Sequence, residues 1–511
     1  MSPAFRWFHQ DVSSRYTGLL CLFAGLLLPF AFAPVGIGLL AVPLLAWLFF
    51  AWSDASPRQA FRYGFLFGLG QFTAGVYWIY HSLYEFGHIP TPVSMLLVVV
   101  LAAGLALYPA AAGYLANRIS LSAPSMRLLA IYPASWLLME WLRGFVLTGF
   151  PWLNLGASQT DTLLAGWMPV VGEYGVTLLL GVSAGALVSL FRFRSGYRWP
   201  VAVTLLSALW ISGWVLQQQN WTETSASLSV SLVQGNTPQE LKWDPDARTK
   251  ILNSYLILSE EVWKRDLVIW PETAIPAFAQ DIEKFTQGLS GLTKLTGSDL
   301  ITGIPMVEKG RYYNAIITLG SESGRYYKRH LVPFGEYIPL GSAFGSLLDL
   351  LHVPMSDFST GRLDQPPLKV AGQLAGLSIC YEIAFSSVIR AQLPQAGFLV
   401  NLSNNAWFGD SIAPHQILQL SRVRAMETGR AVLSSTNDGI TAVVDHRGQI
   451  QAQAPQFIGT VLNAEVLVQT GATPFVRWGE WPVIIFAILL LVAGFVRSCY
   501  QENQPEEKTR G

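Results

Sequence analysis

Three residues in the second half of this 511-residue chain have the types and settings for acyl transfer through a thiol. Glu272 follows an apolar run in Leu267-Val268-Ile269-Trp270-Pro271-Glu272-Thr273. Lys328 lies in Tyr326-Tyr327-Lys328-Arg329-His330-Leu331-Val332-Pro333-Phe334-Gly335-Glu336, and Cys380 ends the run Leu377-Ser378-Ile379-Cys380-Tyr381-Glu382. A free thiol has a pKa of about 8.5 and is a poor nucleophile until it loses its proton. A carboxylate within hydrogen-bond reach can take that proton. An ammonium near the scissile carbonyl, helped by the backbone N–H after the cysteine, can hold the developing oxyanion. No triad histidine is needed, and no cofactor is expected. Taken singly, each residue also has a plain structural reading: an inert buried thiol, a helix N-terminal glutamate, a surface lysine.

The elements around them fit that chemistry. Short apolar runs at 226–233, 266–270, 300–304, 313–319, 376–379, 397–402, 431–434 and 440–444 read as strands, the last entering a turn at Asp445-His446-Arg447-Gly448. Helical patterns fit 247–264, 279–294, 384–392 and 414–429. Strands and helices interleaved in this way predict an α/β layered domain, with all three residues at or just past strand ends.

The rest of the chain is of another kind. Only 13% of residues are charged and 51% are hydrophobic, against about 25% charged in an average soluble protein. Residues 1–216 hold ten arginines, no lysine and six acids (Asp11, Asp54, Glu85, Glu140, Asp161, Glu173), 16 of the 66 charged residues. Spanning helices need about 20 mostly apolar residues, and candidates lie at 17–33, 36–53, 62–82, 93–116, 127–143, 165–190 and 199–216, with an eighth at 480–496. The expected organisation is a seven-span membrane domain over 1–216, a catalytic domain over 217–479, the eighth span over 480–496 and a tail over 497–511. Arg6 and Arg15 before a leucine-rich run imitate a cleavable signal peptide, but the apolar run that follows at once fits a helical hairpin better.

Arginine placement orients the bundle. With the N-terminus inside, inner loops carry Arg6, Arg15, Arg58, Arg62, Arg118, Arg127, Arg192, Arg194 and Arg198, while the outer loops carry only Arg143. The catalytic domain is then expected outside the cytoplasm, with both termini inside. Glu140 and Glu173 lie in apolar runs, where an ionisable residue is either a functional candidate or a hydrogen-bonded packing group. The 143–164 loop, aromatic and Gly-rich, fits an interfacial or re-entrant segment. A net charge of zero excludes an electrostatic footprint for nucleic acid. Three cysteines (Cys21, Cys380, Cys499) give neither a disulfide framework nor metal-ligand spacing.

The segments WPET, YYKRHLVPFGEYIP and LSICYE, in that order, resemble the Glu-Lys-Cys triad of the nitrilase superfamily. Joined to the predicted spans, and with LVQGNTPQELKWD and NLSNNAWFGDSIAPHQ extending the match, the whole chain resembles the bacterial apolipoprotein N-acyltransferases. The resemblance implies an αββα nitrilase-like sandwich beside a multi-span helical bundle in the inner membrane, the catalytic domain being periplasmic. It implies that Cys380 takes an acyl group from a phospholipid, typically phosphatidylethanolamine. The acyl-cysteine then passes that group to the α-amine of a diacylglyceryl-cysteine at a lipoprotein N-terminus. Glu336 matches the family's second glutamate, expected to orient Lys328; Trp243, Tyr381 and Glu382 match positions around the pocket. Packing is the alternative for both aromatics, and a surface ion pair for Glu382. Asn404, Asn405 and His415 are expected to shape loops. The apolar stretch 340–355 is either core or a lid toward the bilayer. A monomer is expected. The rival readings are a membrane-tethered amidase with water as acceptor and, from another class, a transporter with a regulatory domain; no pair of broken, matching helices favours the latter.

Overall fold

The computed structural model describes residues 3–119, 124–192, 198–337 and 358–502; the 340–355 stretch therefore lies outside the described residues. The chain forms two compact units. One comprises Met1–Tyr77, Met95–Gln219 and Glu480–Gly511, the other Trp78–Ser94 and Asn220–Gly479.

The first unit is helical: α1 (Pro3–Leu27), α2 (Ala41–Ser53), α3 (Pro57–Gly75), α4 (Thr91–Arg118), α5 (Tyr132–Arg143), α6 (Met168–Arg192), α7 (Arg198–Gln217) and a C-terminal helix, Trp481–Glu502. Among the described residues, five stretches are long and apolar enough to cross a membrane: Ser14–Ala31, Thr91–Arg118, Leu163–Arg192, Trp199–Gln217 and Trp481–Gln501. The other three expected spans fold as α2, 13 residues long, as α3, which carries Arg58 and Arg62, and as the 12-residue α5. α1 and α3 approach so closely that a Cβ on Gly25 would come 1.9 Å from the Phe67 carbonyl oxygen. Small residues at a crossing allow that backbone proximity.

Buried polar groups hold the 143–164 loop in the same unit. The Arg143 guanidinium, 3% exposed, donates to the carbonyls of Phe150 and Trp152 and to Asn154 Oδ1. Glu140 accepts from Trp136 Nε1 (3.1 Å), the Leu155 N–H (3.1 Å) and Thr177 Oγ1 (2.6 Å). Of the two readings open for Glu140, these contacts give it the hydrogen-bonded packing role; Glu173 is buried as well.

The second unit is a four-layer α/β sandwich, as expected. One sheet runs β12-β1-β2-β3-β4-β5 and the other β11-β10-β9-β8-β7-β6. Their strands are β1 (Glu223–Gln234), β2 (Leu267–Ile269), β3 (Asp299–Glu308), β4 (Arg311–Leu319), β5 (Gly324–Tyr327), β6 (Leu368–Val370), β7 (Gln373–Ile379), β8 (Phe398–Ser403), β9 (Val432–Thr436), β10 (Ala442–Val444), β11 (Ile450–Gln453) and β12 (Thr460–Thr470). Three parallel strands centre each sheet, β1-β2-β3 and β7-β8-β9, and antiparallel strands flank them. Helices α8 (Pro245–Leu258), α9 (Glu283–Thr296), α10 (Ser386–Arg390) and α11 (Ala413–Thr428) make the crossovers. Central strands buried on both faces read as continuous apolar runs, which is why they were legible. Val230, Ile269, Ile301, Leu377, Val400 and Leu433 meet in the core between the sheets. The outer face of the first sheet packs Val268, Trp270 and Leu300 against Ile251, Tyr255 and Leu289 of α8 and α9.

Candidate active site

The C-terminal ends of two central parallel strands and of the edge strand β5 bring the predicted residues together. β2 delivers Glu272, the chain past β5 delivers Lys328, and β7 delivers Cys380. All three are buried, at 8%, 1% and 8% exposure. Lys328 Nζ lies 3.9 Å from Glu272 Oε1 and 2.9 Å from Glu336. Asn314, on β4, donates through Nδ2 to both carboxylates, at 2.7 Å to Glu272 Oε1 and 2.9 Å to Glu336 Oε1. The backbone N–H of Asn404, just past β8, donates to the other Glu272 oxygen at 2.9 Å. Both oxygens of Glu272 are thus fixed by donors from opposite sheets.

Cys380 sits on a sharp turn. Its φ is +52°, in the left-handed region that side chains seldom adopt, and the strain is held by what surrounds it. Glu382 supplies much of that hold. Its carboxylate accepts from the Ile379 N–H (2.8 Å) on one side of the turn. From the first sheet it accepts the N–H groups of Arg329 (2.6 Å) and His330 (3.0 Å) and the Tyr326 hydroxyl (2.9 Å). It is 0% exposed, so the alternative of a surface ion pair is corrected: four donors, not a solvated cation, satisfy it. Through Glu382 the chain carrying Lys328 is fastened to the turn carrying Cys380.

Electrostatics follow from burial. Burial pushes the Cys380 thiol up to about 12, with Glu272 adding to the shift and Lys328 and a hydrogen bond from Ser403 opposing it. The resting thiol is neutral and needs a base. Burial also raises Glu272 above the ordinary carboxylate range, though Lys328, Asn314 and Lys242 work against it. For Lys328, burial would lower the pKa, but Glu336, Glu272 and Cys380 outweigh it and keep the ammonium charged.

The remaining predicted residues have more varied settings. Tyr381 packs edge-on against Phe385 (5.0 Å between centroids), which stacks on His330. Trp243 is 40% exposed just before α8. Asn405 accepts from Ser403 Oγ (2.6 Å), and His415 lies in the first turn of α11. Two site groups escaped sequence reasoning. Asn314 was visible only as one polar residue in the apolar part of β4, Asn-Ala-Ile-Ile. Lys242 stood beside the singled-out Trp243, and nothing in the sequence says that it is 1% exposed. Among the described residues no group of His, Cys, Asp and Glu is arranged to hold a metal ion.

Comparison with known proteins gives the family. Residues 24–186 match the apolipoprotein N-acyltransferase N-terminal domain, and residues 229–474 match carbon-nitrogen hydrolase. The apolipoprotein N-acyltransferase of Methylococcus capsulatus is 44% identical over 95% of this chain and 96% of that protein. That of Nitrosomonas europaea is 42% identical over 91% and 93%. Among solved structures, the carbon-nitrogen hydrolase of Helicobacter pylori G27 is similar at 16% identity and a TM-score of 0.36, covering 53% of this chain and 94% of that one. With near-complete coverage by such relatives, an α/β sandwich of carbon-nitrogen hydrolase type and several helices of membrane-spanning character, this chain belongs to the apolipoprotein N-acyltransferase family.

Proposed function

We propose that the protein N-acylates the diacylglyceryl-cysteine of lipoproteins by two displacements at Cys380, with a membrane phospholipid such as phosphatidylethanolamine as acyl donor. Glu272 takes the thiol proton, and the thiolate attacks the ester carbonyl. Lys328 and the N–H of Tyr381 stabilise the oxyanion as it forms. Collapse breaks the acyl C–O bond, Glu272 returns the proton to the departing alkoxide, and a lysophospholipid leaves. The acceptor's α-amine then attacks the thioester, giving up a proton to Glu272. The C–S bond breaks, the amide remains on the lipoprotein, and the proton returns to Cys380.

The observation that carries this reading is the placement of Glu272 and Lys328 3.9 Å apart, in electrostatic contact with the Cys380 thiol. Glu336 orients Lys328 and keeps it cationic, which suits oxyanion binding better than proton transfer. Tyr381 and Trp243 are assigned to the walls of the acyl site. The reading places the protein in a bacterial inner membrane, with this domain on the periplasmic side.

Incubation of the purified protein with phosphatidylethanolamine, followed by peptide mass spectrometry, tests it. One fatty acyl group is expected on Cys380, released by a peptide bearing an N-terminal diacylglyceryl-cysteine and absent in Cys380→Ser. No adduct on Cys380 overturns the proposal.

A further inference from the structure

The triad leaves one buried cation beside it without a task. Lys242 lies in the turn between β1 and α8, at 1% exposure, and its Nζ reaches the Glu272 backbone carbonyl at 3.5 Å. That carbonyl precedes Thr273, whose φ is +50°, so the ammonium meets the chain where it turns sharply away from β2. The turn carrying Lys242 is itself fixed. Gln239 accepts from Asn404 Nδ2 at 2.7 Å, and Asn404 is the residue whose N–H holds Glu272. Thr237 exchanges two hydrogen bonds with Asn437, next to Asp438. A buried lysine costs several kcal/mol unless something uses its charge.

We propose that Lys242 is a positioning residue for the reaction above: its ammonium anchors the Glu272 backbone and supplies the positive charge that lets Glu272 ionise in a buried site. The charged and titratable groups acting on the pair are Lys328, Glu336 and Cys380, which interact with Glu272, and Asp438, which interacts with Lys242. Lys328 is already shared between Glu336 and Glu272, so a second cation reduces the net negative charge that these two carboxylates and Asp438 would otherwise leave in the buried site. Burial lowers Lys242 to about 8 against the pull of Glu272 and Asp438, and at neutral pH it still carries its charge.

The inference rests on Glu272 being the base, and its test separates the two claims. Alkylation of Cys380 by iodoacetamide, followed against pH by peptide mass spectrometry on the full-length protein in detergent, needs no acyl donor. Lys242→Met is expected to move the acidic limb of that profile to higher pH by about one unit, a roughly tenfold loss of rate below it. Lys242→Arg is expected to restore the limb's position. Acylation by phosphatidylethanolamine should show the same shift. An unmoved limb in folded Lys242→Met overturns the inference. Should Lys242→Met fail to fold, Lys242→Gln decides: its amide can still donate to the Glu272 carbonyl but carries no charge, so the limb must move to higher pH, and an unmoved one is equally fatal. A normal alkylation limb in the wild type without any acyl adduct would instead sink the phospholipid reaction and leave the role of Lys242 standing.

Discussion

Glu272 must be anionic to act as a base, yet it occupies a site that disfavours anions. Burial raises its pKa, and the neighbouring Glu336 adds to that, while Lys328, Asn314 and Lys242 oppose it. The sign of the pH dependence follows. A raised carboxyl stays protonated to higher pH, so acylation should fall as pH drops through a limb lying above the usual carboxylate value of about 4.3. Glu272→Gln should remove that limb and cost about 10²–10⁴-fold in the rate of acyl-Cys380 formation, the range typical of a lost general base. Its fold should survive, since an amide oxygen can still accept from Asn404. A rate within tenfold of wild type, with the limb intact, would remove Glu272 from the role. At this scale the sequence revealed the residues with a distinctive local context, Glu272 after Trp-Pro and Cys380 at a strand end. It was silent on Asn314 and Lys242, whose importance comes from partners 42 and 30 residues away.

At the scale of elements, the site depends on how closely β2 and β3 pack where β2 ends. The Pro271 carbonyl accepts from the Gly303 N–H, and the Gly303 carbonyl accepts from the Ile275 N–H. A Cβ on Gly303 would lie 2.6 Å from the Thr273 nitrogen and 2.7 Å from the Glu272 Cα. Both are backbone atoms and cannot swing aside. Gly303→Ala is therefore expected to cost about 1–3 kcal/mol and to displace Glu272, lowering activity more than stability alone would. Gly288→Ala, in the interior of α9 with nothing within 4 Å, should instead stabilise by up to about 1 kcal/mol. Thermal unfolding and acyl-adduct rates of both variants check this; equal behaviour of the two would refute it. The central strands were readable because burial on both faces makes them apolar throughout. β12 was not, since Asn463 and Glu465 interrupt its run on a face half open to solvent, and it pairs with β1 more than 220 residues earlier in the chain. β5 (Gly-Arg-Tyr-Tyr) and β6 (Leu-Lys-Val) are short strands at the sheet edges, each interrupted by a charged residue, so no apolar run marks them.

For the whole molecule, the proposed orientation in the membrane gains support from polar contacts inside the helical unit. Asp54, just after α2, pairs with Arg192 at the end of α6 at 2.5 Å. Asn117, near the end of α4, donates to the Trp52 and Ala55 carbonyls and accepts from Arg127, which precedes α5. The ends of α2, α4 and α6 and the approach to α5 thus gather at one side, together with Arg58 and Arg62 at the start of α3. That is the side the arginine count assigns to the cytoplasm. Arg143, at the other end of α5, is no solvated loop charge, because it is buried and donates to two backbone carbonyls and to Asn154. α4 at 28 residues is about 42 Å long, enough to cross a hydrocarbon core of about 30 Å. If the gathered side is cytoplasmic, the sandwich lies outside and the C-terminal helix returns the chain to the inside. A cysteine at Lys284, exposed on α9, should then react with a membrane-impermeant maleimide in intact spheroplasts. One at Tyr500, 66% exposed, should react only after permeabilisation. The reverse pattern would invert the topology and take the acyl acceptor's periplasmic route with it, whereas labelling of neither in intact cells would place the sandwich in the cytoplasm.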